Sequence, residues 1–153
     1  MDKKVRTMPE GYHSVTPYLF VNEGEKAIHF YMKVFGAAVL MRLPGPGGKI
    51  GHAELKMGDS HVMLADEHPE VGALSPKTIG GSAVSLLLYV NDVDATLKKA
   101  AEEGAKITQD AKDQFYGDRT ASIEDPFGHL WTIATHFEDV SVEEMKKRAA
   151  ASS

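Results

Sequence analysis

The stretch Glu124-Asp-Pro-Phe-Gly-His-Leu-Trp-Thr-Ile-Ala134 joins a tight-turn signal to a strand signal. Proline presets φ for a turn and glycine accepts positive φ, so Asp125-Pro-Phe-Gly128 predicts a turn. The β-branched and aromatic residues that follow predict a strand over 129–135. A plainer turn followed by a strand lies earlier, over 56–65. Two copies of one pattern point to a repeated module.

Both halves of the chain show the same order of predicted elements. A strand is followed by a helix that ends at a glycine, and three further strands follow. In the first half the strand covers 15–21, Asn22 and Glu25 form a capping box, Gly36 ends the helix, and strands cover 37–43, 51–57 and 61–65. In the second half the strand covers 84–90, Asn91 caps the helix, Gly104 ends it, and strands begin at 105, 119 and 129.

A nearly constant offset relates the two halves. Val21-Asn22 matches Val90-Asn91 at an offset of 69, and Gly36-Ala37 matches Gly104-Ala105 at 68. An offset of 68 also matches Ala53, Leu55 and His61 with Ala121, Ile123 and His129. A period of this length is too long for a solenoid repeat. We therefore predict a duplicated βαβββ unit.

Length and composition favour one globular domain over 1–153, with a first module over 14–66 and a second over 84–137. Residues 66–83 are rich in Pro, Gly and Ser and predict a connector. Ser141 and Glu144 form a capping box, so 138–153 is expected to be a terminal helix with a tail.

Charge and residue content exclude several classes of function. The net charge is −5 without a basic run, which disfavours nucleic-acid binding. No apolar stretch is long enough to span a membrane, and the N-terminus lacks the apolar core of a secretory signal. The chain has no cysteine, which removes disulfides and thiolate ligands and suits a cytoplasmic location.

Several motifs together carry a family resemblance. They are Thr16-Pro-Tyr-Leu-Phe-Val21, Phe30-Tyr31 with Phe35-Gly36, Gly51-His-Ala-Glu-Leu55, Val90-Asn-Asp92, Tyr116-Gly-Asp-Arg119, Asp125-Pro-Phe-Gly-His-Leu-Trp131, and Ala134-Thr-His136 running into Glu138-Asp-Val-Ser141. With these, the chain resembles the vicinal-oxygen-chelate superfamily of glyoxalases, bleomycin-resistance proteins and dioxygenases, and within it the PhnB-like branch. The resemblance implies an α+β fold in which two βαβββ modules form a cup-shaped mixed sheet, with a C-terminal helix, in a homodimer.

In metal-using members of this superfamily, first and last strands of each module supply the ligands of a divalent ion. Spacing carries these positions to Thr16, Leu64, Ser85 and Thr132. Divalent ions prefer carboxylate or imidazole donors, whereas leucine has no donor and hydroxyls are poor ligands. We therefore expect no metal site of the family type and no cofactor.

His52 and Glu54 are the candidate catalytic residues. They are two apart on a predicted strand, so both point to one face. They would act as a general base on a bound ligand. The alternative is a metal-dependent lyase, isomerase or dioxygenase of the glyoxalase type that uses both. Because strands commonly alternate polar and apolar residues, a solvated strand face or a hydrogen-bonding role is favoured over a metal.

The remaining candidates are ligand-binding residues. Tyr18, Phe20, Leu87 and Tyr89 share strand parity with Thr16 and Ser85, and with Thr132 they would line a partly aromatic pocket for a small organic ligand. Tyr116 and Arg119 lie at the rim, where Arg119 would hold an anion. The alternatives are a surface pair of Arg119 with Asp118 or a structural contact of Arg119 with another carboxylate. An interaction protein whose cup is filled by its own side chains is the third possibility.

Overall fold

The computed structural model describes residues 4–152. Its first module contains β1 (Tyr18–Val21), α1 (Gly24–Phe35), β2 (Ala38–Pro44), β3 (Ile50–Met57) and β4 (Ser60–Asp66). A short helix, α2 (Pro76–Ile79), follows. The second module contains β5 (Ser85–Tyr89), α3 (Val93–Glu102), β6 (Lys106–Asp113), β7 (Asp118–Glu124) and β8 (Leu130–His136), and α4 (Val142–Ser152) comes last.

Each module is a four-stranded mixed sheet with the same strand order. The first sheet runs β1-β4-β3-β2 and the second runs β5-β8-β7-β6. The first and last strands of each module pair in parallel, and the other neighbours are antiparallel. The chain divides into two compact units between Gly80 and Gly81. The α+β class, the two βαβββ modules and the terminal helix are confirmed.

Helices cover one face of each sheet, and strand alternation places the core there. In the first module, α1 packs on β2, β3 and β4, and α3 packs on β6, β7 and β8 in the second. Leu19, Ala53 and Leu55 of the sheet are fully or almost fully buried, as are Ile28 and Tyr31 of α1. Because side chains alternate along a strand, their neighbours in sequence emerge on the opposite face. That opposite face carries the candidate site.

The first helix does not begin as the sequence predicts. The N-cap is Glu23, and neither Asn22 nor Glu25 forms a capping box. Instead, the carboxylate of Asp66 accepts hydrogen bonds from the backbone N–H groups of Gly24 and Ile50, each at 2.7 Å. A side chain distant in sequence therefore satisfies the helix terminus. In the second module Asp92 caps α3, rather than Asn91, by accepting from the N–H of Ala95.

The turn before the last strand is confirmed, and Asp125 organises it. This side chain is 1% exposed. Its Oδ1 accepts from the backbone N–H groups of Phe127 and His129, and its Oδ2 accepts from the indole N–H of Trp131 at 2.9 Å. Gly128 adopts a φ of 92°, which a side chain would disfavour. One buried carboxylate thus fixes the turn, the start of β8 and the orientation of the indole.

The same turn shifts the register between the modules. Leu55 pairs with Val62 in the first sheet, whereas the equivalent Ile123 pairs with Trp131 in the second. The second turn is therefore one residue longer, and last-strand positions correspond at an offset of 69. The match of His61 with His129 at 68 is wrong, since His61 occupies the position of Leu130.

The terminal helix begins as predicted, because the hydroxyl of Ser141 accepts from the N–H of Glu144. Arg148 anchors it by donating to Glu138, to Glu144 and to the carbonyl oxygen of Phe115. Over residues 4–152, no helix has the length and apolar character that crossing a membrane requires.

Candidate functional site

The face of the first sheet opposite α1 brings His52 and Glu54 together with aromatic rings. β1 contributes Tyr18 and Phe20, whose rings lie 5.1 Å apart, and β3 contributes His52 and Glu54. The ring of Tyr18 also lies 5.5 Å from that of His52. The side chains of His52 and Glu54 are 24% and 18% exposed, so both are partly withdrawn from water. The sequence placed His52 and Glu54 on one face, and Tyr18 and Phe20 on one face; strand register brings the two pairs to the same face of the sheet.

Short polar contacts join these groups into a cluster. The hydroxyl of Tyr18 forms a hydrogen bond of 2.7 Å with Nδ1 of His52, and Nε2 of His52 lies 3.4 Å from Oε2 of Glu54, a distance that makes an ion pair when the imidazole is protonated. The hydroxyl of Tyr12 donates to the other oxygen of Glu54. Burial raises the pKa of Tyr18, which keeps its hydroxyl protonated near neutral pH.

Tyr12 is the member of this cluster that the sequence did not predict. It precedes the first strand, in a stretch without helical or strand periodicity, so no pattern placed it near Glu54. Its ring stacks on His61 of β4, with centroids 4.0 Å apart and planes within 15°. Nδ1 of His61 is buried and has no hydrogen-bond partner among the described residues. The segment before β1 therefore lies over the candidate site.

Strand register shows where the positions that correspond to the family's metal ligands lie. Leu64 pairs with Leu19 and is fully buried on the side of α1, so its assignment to the opposite face is wrong. Met63, which pairs with Tyr18 and Glu54, lies on that face instead. The longer turn in the second module caused this one-residue error.

The donor chemistry of the corrected positions does not fit the family's divalent ion. The first module offers the hydroxyl of Thr16 and the thioether of Met63, and the second offers the hydroxyls of Ser85 and Thr132. None is a carboxylate or an imidazole. Within residues 4–152, no group of three or more His, Asp or Glu side chains is arranged to hold a metal. No step of chemistry is therefore derived through a metal.

The corresponding face of the second sheet is apolar with hydroxyl groups. Leu87 and Tyr89 of β5 are 52% and 59% exposed, beside the exposed Ser85. Thr132 pairs with Leu87 in register, and its hydroxyl lies 3.2 Å from that of Ser122. By register Ser122 is the equivalent of Glu54. The two faces differ, because the ionisable pair of the first module is replaced by hydroxyls in the second.

A second polar cluster surrounds Asp118, at the beginning of β7. This carboxylate is 5% exposed and accepts from the hydroxyl of Tyr89 at 2.8 Å. Its other oxygen lies 2.7 Å from Nδ1 of His136, whose Nε2 lies 2.7 Å from Asp139. Hydrogen bonds to Asp139 and Asp118 raise the pKa of His136, and the bond to Asp118 raises that of Tyr89. The sequence had named only Tyr89 here as a site residue.

Arg119 lies on the helix side of the second sheet, away from the face that carries Tyr89. It forms a bidentate pair with Asp94 of α3 and a further bond to Asp113 of β6, at 2.8 to 3.0 Å. These two carboxylates raise the pKa of Arg119 and already use its donors. The structural contact between Arg119 and carboxylates, one of the two alternatives to anion binding, is therefore present. The other, an Asp118–Arg119 pair, is absent, since alternation sends these two side chains to opposite faces. Tyr116 lies half-buried in the loop before β7, with its ring against Phe115.

Comparison with known proteins gives the family. The model of the Glyoxalase/Bleomycin resistance protein/Dioxygenase superfamily matches residues 11–133. The chain belongs to this superfamily. An uncharacterized protein of Mycobacterium bovis is 38% identical over 136 residues, which cover 87% of this chain and 90% of the relative.

Several solved structures have a similar fold. TioX from Micromonospora sp. ML1 is 28% identical with a TM-score of 0.62, covering 80% of this chain and 98% of TioX. A Bacillus cereus protein described as a putative 3-demethylubiquinone-9 3-methyltransferase, PhnB protein, is 18% identical with a TM-score of 0.61. The match covers 80% of this chain and 99% of the Bacillus cereus protein. At this identity the likeness shows the fold alone.

Proposed function

We propose that this member of the superfamily binds a small organic molecule on the face of the first sheet opposite α1. The cluster of polar contacts from Tyr18 through His52 and Glu54 to Tyr12 carries the proposal. Small-molecule sites combine apolar and aromatic walls with a few convergent polar groups. Here the wall is Tyr18 and Phe20, and the polar groups are His52 and Glu54.

Within this proposal, Glu54 and His52 are also the groups that would exchange a proton with the ligand. A carboxylate and an imidazole 3.4 Å apart supply a base beside an aromatic surface. On the second sheet, the hydroxyl and apolar groups of Ser85, Leu87, Tyr89 and Thr132 remain proposed ligand contacts. Arg119 is left out, because its donors already bind Asp94 and Asp113.

A metal-dependent reaction at His52 and Glu54 is the alternative that the sequence left open. The hydroxyl and thioether donors described above do not favour it. Metal analysis of protein purified without chelator separates the two. Near-stoichiometric zinc, nickel, manganese or iron, lost in Glu54→Gln, would support the metal-dependent reaction and contradict the proposal.

We further propose a cytoplasmic homodimer of the PhnB-like branch. The Bacillus cereus protein named PhnB supports the branch by fold. For the dimer, the support is the edge strand β2, which carries the half-exposed Leu40 and Leu43. Unpaired edges with apolar side chains readily accept another chain. Light scattering that gives a mass of 16.6 kDa would contradict the dimer.

The binding proposal is tested by saturation-transfer NMR with a mixed library of aromatic fragments. Glu54→Gln removes the charge at the site, and Glu25→Gln makes the same change on the exposed surface of α1. Losing a hydrogen bond to a charged group weakens binding by at least about tenfold. Fragments should therefore lose signal in Glu54→Gln and retain it in Glu25→Gln. Equal signals in both variants would contradict this location.

A further inference from the structure

The polar contacts at Glu54 restrict the ligand. An ionised carboxylate only accepts, so Tyr12 donates to one oxygen of Glu54. Nε2 of His52 lies 3.4 Å from the other oxygen. The hydroxyl of Tyr18 lies 2.7 Å from Nδ1 of His52, and the imidazole tautomer decides which of the two donates. Glu54 is therefore the fixed acceptor of the cluster.

The cluster offers acceptors to a ligand. The phenol oxygens of Tyr18 and Tyr12 carry lone pairs, and each oxygen of Glu54 can accept a second bond. The carboxylate of Glu54 would repel an anionic ligand, whereas a hydrogen-bond donor finds several acceptors.

The aromatic surroundings favour a cation over a neutral donor. Tyr18 lies between Phe20 and His52, with ring centroids 5.1 and 5.5 Å away, so a flat group has rings against which to stack. Aromatic faces attract cations, and a partly desolvated carboxylate strengthens that attraction. The side chain of Glu54 is 18% exposed, which limits screening by water.

We infer that the site takes an organic cation, an aromatic or apolar amine whose ammonium group binds Glu54 and Tyr18. This inference rests on the proposed binding function and adds the chemical class of the ligand. It requires that the ligand displace Tyr12 or share Glu54 with it, since the hydroxyl of Tyr12 occupies one carboxylate oxygen.

Three probes of equal carbon count test the inference: 2-phenylethylammonium, 2-phenylethanol and phenylacetate. Each is titrated into nitrogen-15-labelled protein at neutral pH while amide shifts are followed. The ammonium probe should bind at least about tenfold more tightly than phenylacetate, because it gains a charge-assisted bond. The alcohol should fall between them, and the shifted amides should belong to β1 and β3.

Two variants give the inference a second readout. Glu54→Gln should bring the three affinities together, since the charge is lost and the amide supplies a donor. Tyr18→Phe keeps the ring and removes the acceptor oxygen, so it should weaken the ammonium probe more than the alcohol. Glu25→Gln should preserve the ranking.

The outcomes separate the inference from the function on which it rests. If phenylacetate or the alcohol binds as tightly as the ammonium probe at β1 and β3, the cation preference is refuted and the binding site stands. If all three bind but shift other amides, or if none binds, both the location and the ligand class are refuted.

Discussion

Replacing Asp125 with asparagine removes the charge that organises the turn before β8. The wild-type carboxylate accepts two backbone N–H groups on one oxygen and the indole N–H of Trp131 on the other. Asparagine keeps one acceptor oxygen and turns an NH₂ donor toward the remaining partner. If the oxygen keeps the two backbone bonds, the indole N–H faces a donor at a site that is 1% exposed.

The magnitude follows from the lost bond and the orphaned donor. A hydrogen bond to a charged group contributes about 1.5–3 kcal/mol, and leaving a buried donor without an acceptor costs about 1–3 kcal/mol. The free energy of unfolding should therefore fall by about 2.5–6 kcal/mol. Such a loss is a large part of the stability of a small protein.

Urea unfolding followed by circular dichroism measures this loss, and a double-mutant cycle with Trp131→Phe isolates its cause. Phenylalanine has no N–H, so Asp125→Asn should cost at least about 1 kcal/mol less in that background. A loss below about 1 kcal/mol for Asp125→Asn alone, or the same loss in both backgrounds, would refute the role given to the carboxylate.

Three further predictions concern the second module. Gly117 has a φ of 96°, and an added Cβ would overlap the carbonyl of a neighbouring segment. Gly58 has a φ of 58° and open space around it. Gly117→Ala should therefore cost more than the roughly 1–2 kcal/mol expected for Gly58→Ala. Urea unfolding measures both, and equal losses would contradict the close approach. Because the pKa of His136 is raised, the contribution of its protonated form to the stability of the fold is complete below about pH 6.5. This contribution is lost as the pH rises through the raised pKa. Thermal unfolding from about pH 5 to 9 should show this loss and His136→Gln should abolish it, while a pH profile unchanged by the substitution would contradict it. Arg119→Met should lower stability only slightly in urea unfolding and leave ligand affinity unchanged, because the side chain is 35% exposed and lies on the helix side. Weaker binding in a titration would restore Arg119 to the site.

The module architecture was predictable because it rests on local signals and an internal offset. Alternation along the strands and the glycines that end the helices recur in both halves. The helix starts were harder to predict. Asp66 of β4 binds the N-terminus of α1, and the residues next to that terminus give no sign of this contact. Tertiary contacts overrode the local capping pattern there.

The site was predictable only in part, for a similar reason. Strand parity placed His52 and Glu54 on one face with Tyr18. Strand parity failed on β4. The turn before β4 is one residue shorter than the turn before β8, so the matching position in the first module is Met63 and not Leu64. The hydrogen bond from Tyr12 to Glu54 joins residues 42 positions apart, and hydrophobic periodicity cannot predict it.

A crystal structure of the protein with 2-phenylethylammonium tests the central claim most directly. The account predicts the ammonium group within hydrogen-bonding distance of Glu54 and the phenyl ring against Tyr18 or Phe20. Density for the probe at another surface, with Tyr12 still bonded to Glu54, would contradict it.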